Sequence, residues 1–265
     1  MISSPERPPP LAYDERGHGP PLVLLHAFPL NRTLFAPQLD PLSQRWRVLV
    51  PDLPGHGGSP ELPTAEFTVD DLARGVLAWL DGLGVESFAV AGVSLGGYVA
   101  LGLLRLAPGR LRALVMSNTR ADGDDEGGRG RREAMAQLAE SQGADAVADQ
   151  LAPKLLGETT RRGRPELLAA VGATIRRTSV RTLAGTQRAM ARRPDATAAL
   201  RASSLPGRVL AGAEDEVTPP AATNQLAQAL GTSPVVLERA GHLANLEQPA
   251  AWSAAVEHFL ARLER

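Results

Sequence analysis

Six consecutive residues, Gly92-Val93-Ser94-Leu95-Gly96-Gly97, constrain this chain more than any others. A short apolar run over residues 88–91 leads into them. Apolar residues at helical spacing, Tyr98, Leu101 and Leu104, lead out. A strand must therefore become a helix almost at once. So sharp a turn leaves room only for small residues around the central serine, strains its backbone and lifts its hydroxyl clear of the sheet. The turn also sets Ser94 at a helix N-terminus, where the dipole favours negative charge.

The same alternation recurs along the chain. Residues 22–25, 48–50, 114–117, 209–211 and 235–238 are further apolar runs, and residues 11–15 could add a more exposed strand. Continuous rather than alternating runs suit strands covered on both faces. Between them, Val69, Leu72, Val76, Leu77 and Leu80 form a helical stripe with Thr68 as its N-cap, and residues 226–230 and 252–263 are also helical by spacing. Strands alternating with helices predict an α/β fold: a mostly parallel sheet of about seven strands, flanked by helices. The pattern breaks between about 121 and 201. Residues 122–132, rich in Gly and charge, read as a mobile linker, and helical spacing follows. The expected organisation is a core of residues 1–121 and 202–265 with a helical insertion, residues 122–201. That insertion holds no Phe, Tyr or Trp, so any roof it forms is aliphatic, with Arg heads nearby.

Composition removes several function classes. The 265 residues carry 28 basic and 29 acidic groups, a formal net charge of -1, so no global positive field draws in nucleic acid or an anionic membrane. With 0 Cys there is no thiol nucleophile, disulfide framework, Cys-bound metal or iron–sulfur cluster. Lys154 is the only lysine. The start of the chain has no basic stretch followed by an apolar one, so no secretory signal is expected. The uncharged stretch 87–104 approaches membrane-span length, but its four glycines and Ser94 fit a buried strand, turn and helix instead. The expectation is a cytoplasmic protein with no nucleic-acid or membrane partner.

A serine nucleophile needs a base and the base needs an acid. Among 5 histidines, His242 follows the last strand-like run in a loop before a helix. Such loops, at the carboxyl ends of parallel strands, are where α/β sheets place functional groups. His26 and His56 close early strands, His18 lies in a Gly/Pro turn, and His258 sits within the terminal helix. Asp215 lies after the run 209–211, flanked by Glu214 and Glu216 as competitors. The resulting order is Ser94, Asp215, His242. An acyl-transfer intermediate also needs amide donors for its oxyanion. Leu95, just after the serine, is one candidate. In the loop His26-Ala27-Phe28-Pro29 the second is Phe28, because Pro29 has no N–H.

Together these motifs resemble the α/β-hydrolase superfamily, and within it the small bacterial serine esterase and lactonase-like members. The matching stretches are residues 24–31, 51–59 (Pro-Asp-Leu-Pro-Gly-His-Gly-Gly-Ser), 92–98, 212–219 and 240–249 (Ala-Gly-His-Leu-Ala-Asn-Leu-Glu-Gln-Pro). The resemblance implies Ser94 as nucleophile, His242 as base, Asp215 as acid, and the Phe28 and Leu95 amides as the oxyanion hole. It makes the helical insertion a cap, and His56 and Glu247 scaffold groups. Ala27 stands where the family commonly has Gly, which implies a slightly reshaped oxyanion loop. The short, Pro-rich start implies that the family's first edge strand is missing. Some relatives carry the acid after the strand corresponding to 114–117; here Asn118-Thr119-Arg120 follows, which leaves Asp215.

The expected activity is hydrolysis of carboxylic esters with small to medium, mostly apolar acyl groups, without metal or organic cofactor. The excess of basic over acidic residues in the insertion also admits a carboxylate-bearing substrate. Phe28, Val93, Met135 and Met190 are the expected substrate contacts. The same triad serves lactonases, enol-lactonases and C–C bond hydrolases. A perhydrolase, a lyase or a ligand-binding protein without turnover are further readings.

Overall fold

Each apolar run singled out in the sequence forms a strand in the computed structural model, which describes residues 10–263. The strands are β1 (Tyr13–Arg16), β2 (Pro21–Leu25), β3 (Arg47–Pro51), β4 (Phe88–Val93), β5 (Leu111–Ser117), β6 (Gly207–Gly212) and β7 (Val235–Leu237). They make one sheet in the order β1-β3-β2-β4-β5-β6-β7. Only β1 runs antiparallel, along β3; the other pairings are parallel. The central strand β4 is buried along its whole length, as its unbroken apolar run requires. The expected loss of a first edge strand concerns a chain start of which residues 1–9 lie outside those described. Among the described strands β1 forms one edge of the sheet and β7 the other.

The helices are α1 (Ala36–Leu42), α2 (Val69–Gly82), α3 (Leu95–Leu106), α4 (Glu126–Leu155), α5 (Glu158–Gly163), α6 (Pro165–Arg176), α7 (Val180–Ala191), α8 (Thr197–Ala202), α9 (Pro220–Ala229), α10 (Ala244–Glu247) and α11 (Pro249–Ala261). Thr68 caps α2 in a reciprocal box. Its hydroxyl accepts the Asp71 N–H at 3.2 Å, and the Asp71 carboxylate accepts the Thr68 N–H at 2.8 Å. Helix α3 packs on α2 and against β2, β4 and β5, while α11 packs on α1, β6 and β7. These faces bury the core, with Phe35, Phe88 and Trp252 among its largest fully enclosed side chains.

Helices α4–α8 occupy the interval between β5 and β6. The linker expected over residues 122–132 is corrected here: α4 already begins at Glu126. Asp125 caps it by accepting the Gly128 N–H at 2.6 Å, and Asp124 is clamped between Arg132 and Arg193. The glycines masked an N-cap followed by paired charges. Helix α4 bends sharply at Gly143, whose φ of +80° suits glycine. The helix is therefore broken there into two arms, and it packs on α6 and α7.

Candidate active site

Ser94 joins β4 to α3 with φ 53° and ψ -111°, a conformation few non-glycine residues adopt. The glycines around it are dictated by close approach. A Cβ on Gly92 would lie 2.4 Å from the Gly96 backbone, and one on Gly96 would lie 2.0 Å from the Leu25 carbonyl oxygen of β2. The Ser94 N–H donates to the Ser117 carbonyl at 3.0 Å, and the Thr119 hydroxyl donates to the Ser94 carbonyl at 2.9 Å, so β5 holds the turn. The strained serine is thus fixed by its backbone, and its side chain lines a cavity.

Four strands deliver the remaining groups at their carboxyl ends. After β7, His242 presents Nδ1 to Asp215, which follows β6, at 3.0 and 3.1 Å from its two carboxylate oxygens. Both side chains are almost fully buried, at 2% and 3% exposure. Burial alone would raise the Asp215 pKa. His242, Asn118 and the Thr218 amide outweigh it, and the carboxyl is held below its ordinary range. Its Oδ1 also accepts the Val217 and Thr218 amides at 2.8 and 3.0 Å. With Nδ1–H donated to a carboxylate, the imidazole keeps its Nε2 lone pair for a proton. His242 and Ser94 line the same cavity.

Asn118, at the end of β5, is a site residue that sequence reasoning passed over. Its Nδ2 donates to Asp215 Oδ2 and to the Gly241 carbonyl, both at 3.0 Å. Its amide orientation is fixed from behind. Trp252 Nε1–H donates to Ser117 Oγ at 3.1 Å, and that hydroxyl donates to Asn118 Oδ1 at 2.8 Å. The available signal was its place directly after a strand adjacent to the serine strand.

The loop after β2 carries Phe28 beside the cavity. No acceptor among the described residues takes the Phe28 N–H, and Leu95 opens α3, where first-turn amides lack intrahelical partners. Ala27 lies outside the positive-φ region. His26 and His56 do not line the cavity. The Leu53 N–H donates to His26 Nε2 at 2.9 Å, which leaves Nδ1–H to donate to the Ala27 carbonyl at 3.0 Å. Burial pushes the His26 pKa down to about 4, against the raising effect of that hydrogen bond. Burial and the neighbouring His26 push His56 down to about 3.

The cavity has a volume of about 320 Å³. Of the expected substrate contacts, Phe28, Met135 and Met190 line it; Val93, fully buried as the last residue of β4, does not. Tyr98, Leu151 and Leu155 add to its wall, and Arg120, Arg131, Arg132 and Lys154 line it as well, the last three from the insertion that was expected to bring Arg heads near an aliphatic roof. Glu214 and Glu216 face the insertion instead of His242. Glu214 accepts the Thr159 N–H at 2.8 Å, and Glu216 pairs with Arg161 at 3.2 Å. Glu247 is buried and bridges the Gly157 and Gly241 amides, each at 2.8 Å. Burial raises its pKa despite those bonds. Among the described residues no group of three or more His, Asp or Glu is placed to hold a metal ion, and no helix is long and apolar enough to cross a membrane.

A family model described as alpha/beta hydrolase fold matches residues 20–249. The chain is 28% identical to 3-oxoadipate enol-lactonase 2 of Acinetobacter baylyi, over 92% of this chain and 89% of that one. Among solved structures it is similar to a thermophilic esterase from Thermogutta terrifontis, with malate bound. That pair has 33% identity and a TM-score of 0.92, covering 96% of this chain and 94% of the other. It is also similar to the enol-lactonase from Burkholderia xenovorans, at 28% identity and a TM-score of 0.87, covering 95% and 96%.

Proposed function

The chain belongs to the α/β-hydrolase fold family, and from that premise we propose that it is a serine hydrolase of carboxylic esters, acting through Ser94, His242 and Asp215. The observation that carries this reading is the buried His242–Asp215 pair opening onto the cavity that the strained Ser94 also lines. His242 Nε2 takes the Ser94 hydroxyl proton as Oγ bonds to the acyl carbon. The Phe28 and Leu95 amides hold the oxyanion, a contribution of about 3–4 kcal/mol per donor in comparable sites. Asp215 keeps the imidazole in the required tautomer and stabilises its cation. As the tetrahedral intermediate collapses, His242 gives its proton to the departing alkoxide. Water then attacks the acyl-enzyme, loses a proton to His242, and the acid leaves as that proton returns to Ser94.

Phe28, Met135, Leu151, Leu155 and Met190 provide an apolar bed for the acyl chain. Met135, Leu151, Leu155 and Met190 come from α4 and α7, so the insertion acts as a cap. A cavity near 320 Å³ is at the small end for ligand sites, about 300–1,000 Å³. Short acyl groups therefore fit best. Lactone hydrolysis is the second reading. The enol-lactonase names of two relatives favour it, and its chemistry differs only in that the leaving alcohol stays tethered to the acyl group.

A p-nitrophenyl ester series from acetate to dodecanoate tests the reading. The expected result is turnover that peaks at short chains, falls off before dodecanoate and vanishes in Ser94→Ala. Turnover that survives in Ser94→Ala, or none on any ester or lactone, overturns it.

A further inference from the structure

The cavity wall carries both apolar and charged side chains. Beside its apolar residues stand four cations, Arg120, Arg131, Arg132 and Lys154, against two carboxylates, Asp124 and Glu216. Two of the cations are already neutralised. Arg120 grips Asp122 through two nitrogens, Nε at 2.6 Å, and Arg132 pairs with Asp124. Asp124 is further claimed by Arg193 at 2.8 Å, and Glu216 by Arg161 at 3.2 Å. Arg131 and Lys154 have no ion pair or hydrogen bond among the described residues. They come from opposite arms of α4. The bend at Gly143 brings residues 23 positions apart in sequence to one cavity. Both are exposed, which places the free charge at the mouth, with Ser94 and the apolar bed within.

We propose that the substrates are esters or lactones that carry a second, free carboxylate, bound at the cavity mouth by Lys154 and Arg131 while the scissile carbonyl lies at Ser94. This rests on the hydrolase reading above and names its substrate class. An acyl chain with an anionic end meets both the apolar residues and the two unpaired cations, whereas a purely apolar one leaves those cations without a partner. Low-dielectric walls focus the field of those cations, so a dicarboxylate half-ester is drawn in faster than a neutral ester. Because the cations are exposed, each contact contributes modestly, within about a fivefold effect.

The test compares mono-p-nitrophenyl glutarate with p-nitrophenyl pentanoate, of matching length. The wild type is expected to prefer the glutarate half-ester in kcat/KM. Lys154→Met with Arg131→Met, which removes charge and keeps bulk, should lower kcat/KM for the half-ester about tenfold and for the neutral ester less than threefold. Raising NaCl from 20 to 500 mM should depress only the half-ester, and Lys154→Arg should retain the preference. Calorimetric titration of glutarate into Ser94→Ala protein reads binding without turnover, and the double substitution should weaken it about tenfold. Equal losses on both esters, or a half-ester preference that the double variant leaves unmoved, overturn the proposal. So does failure of glutarate to bind the Ser94→Ala protein. Turnover that persists in Ser94→Ala instead overturns the hydrolase reading and leaves the glutarate titration to judge the carboxylate site.

Discussion

Asn118 carries two burdens that a single amide can just meet. It adopts φ 49°, a region Asn tolerates better than most residues, and it donates both Nδ2 protons, to Asp215 and to the His242 loop. Ser117 and Trp252 fix which way the amide faces, so its donors can point only at these acceptors. Asn118 acts through Asp215 and is a positioning residue. Replacing it with Gly keeps the backbone conformation and removes the amide. We expect Asn118→Gly to cut kcat on p-nitrophenyl butyrate about tenfold, the worth of one hydrogen bond to a charged group, with KM nearly unchanged. Trp252→Phe, which frees the Ser117 hydroxyl to rotate, should reproduce part of that loss. Unchanged kcat in Asn118→Gly would remove Asn118 from the mechanism.

At the scale of elements, the insertion is latched to the loops that carry Asp215 and His242. Glu247, at the end of α10, accepts one amide from each side, Gly157 and Gly241, and the Leu243 N–H donates to the Leu155 carbonyl at 3.1 Å. Glu214 accepts the Thr159 N–H on the same seam. The close fit is also visible at Gly241, where a Cβ would meet the Gly157 amide at 2.2 Å. Glu247→Ala strands two buried N–H groups, each costing about 1–3 kcal/mol. With roughly 2–4 °C per kcal/mol for a chain of this size, Tm should fall by about 10 °C. Glu247→Gln keeps one acceptor oxygen and should lose about half as much. Equal Tm values for the two variants would show that the carboxylate oxygens are not what joins insertion and core.

Across the whole molecule, strands, sheet and the serine turn were legible because each follows from local rules: an apolar run, a periodic stripe, a glycine where backbones touch. The order Ser94, Asp215, His242 was legible because every member follows its own strand. What stayed hidden depends on distant pairing. Whether Arg120 and Arg132 face the cavity as free or neutralised cations is set by Asp122 and Asp124, and the bend at Gly143 alone brings Arg131 and Lys154 together. Val93 was misassigned to the cavity for a similar reason: only the sheet reveals that it is enclosed. The same enclosure makes stability depend on pH. His26 and His56 are buried neutral, with pKa values of about 4 and about 3. In the unfolded chain both titrate near about 6.5. Between those limits the unfolded chain binds more protons, so their contribution is complete above about pH 6.5 and declines as pH falls toward 4. At pH 5 each ring costs about 2 kcal/mol. Glu247, with its raised pKa, opposes this, and the depressed carboxyls of Asp215 and Asp124 add losses only at still lower pH. Thermal unfolding should therefore show Tm dropping by about 10 °C from pH 7 to pH 5. His56→Asn, which removes one titrating ring, should show about half that drop; an equal drop in both proteins would refute the assignment to these histidines.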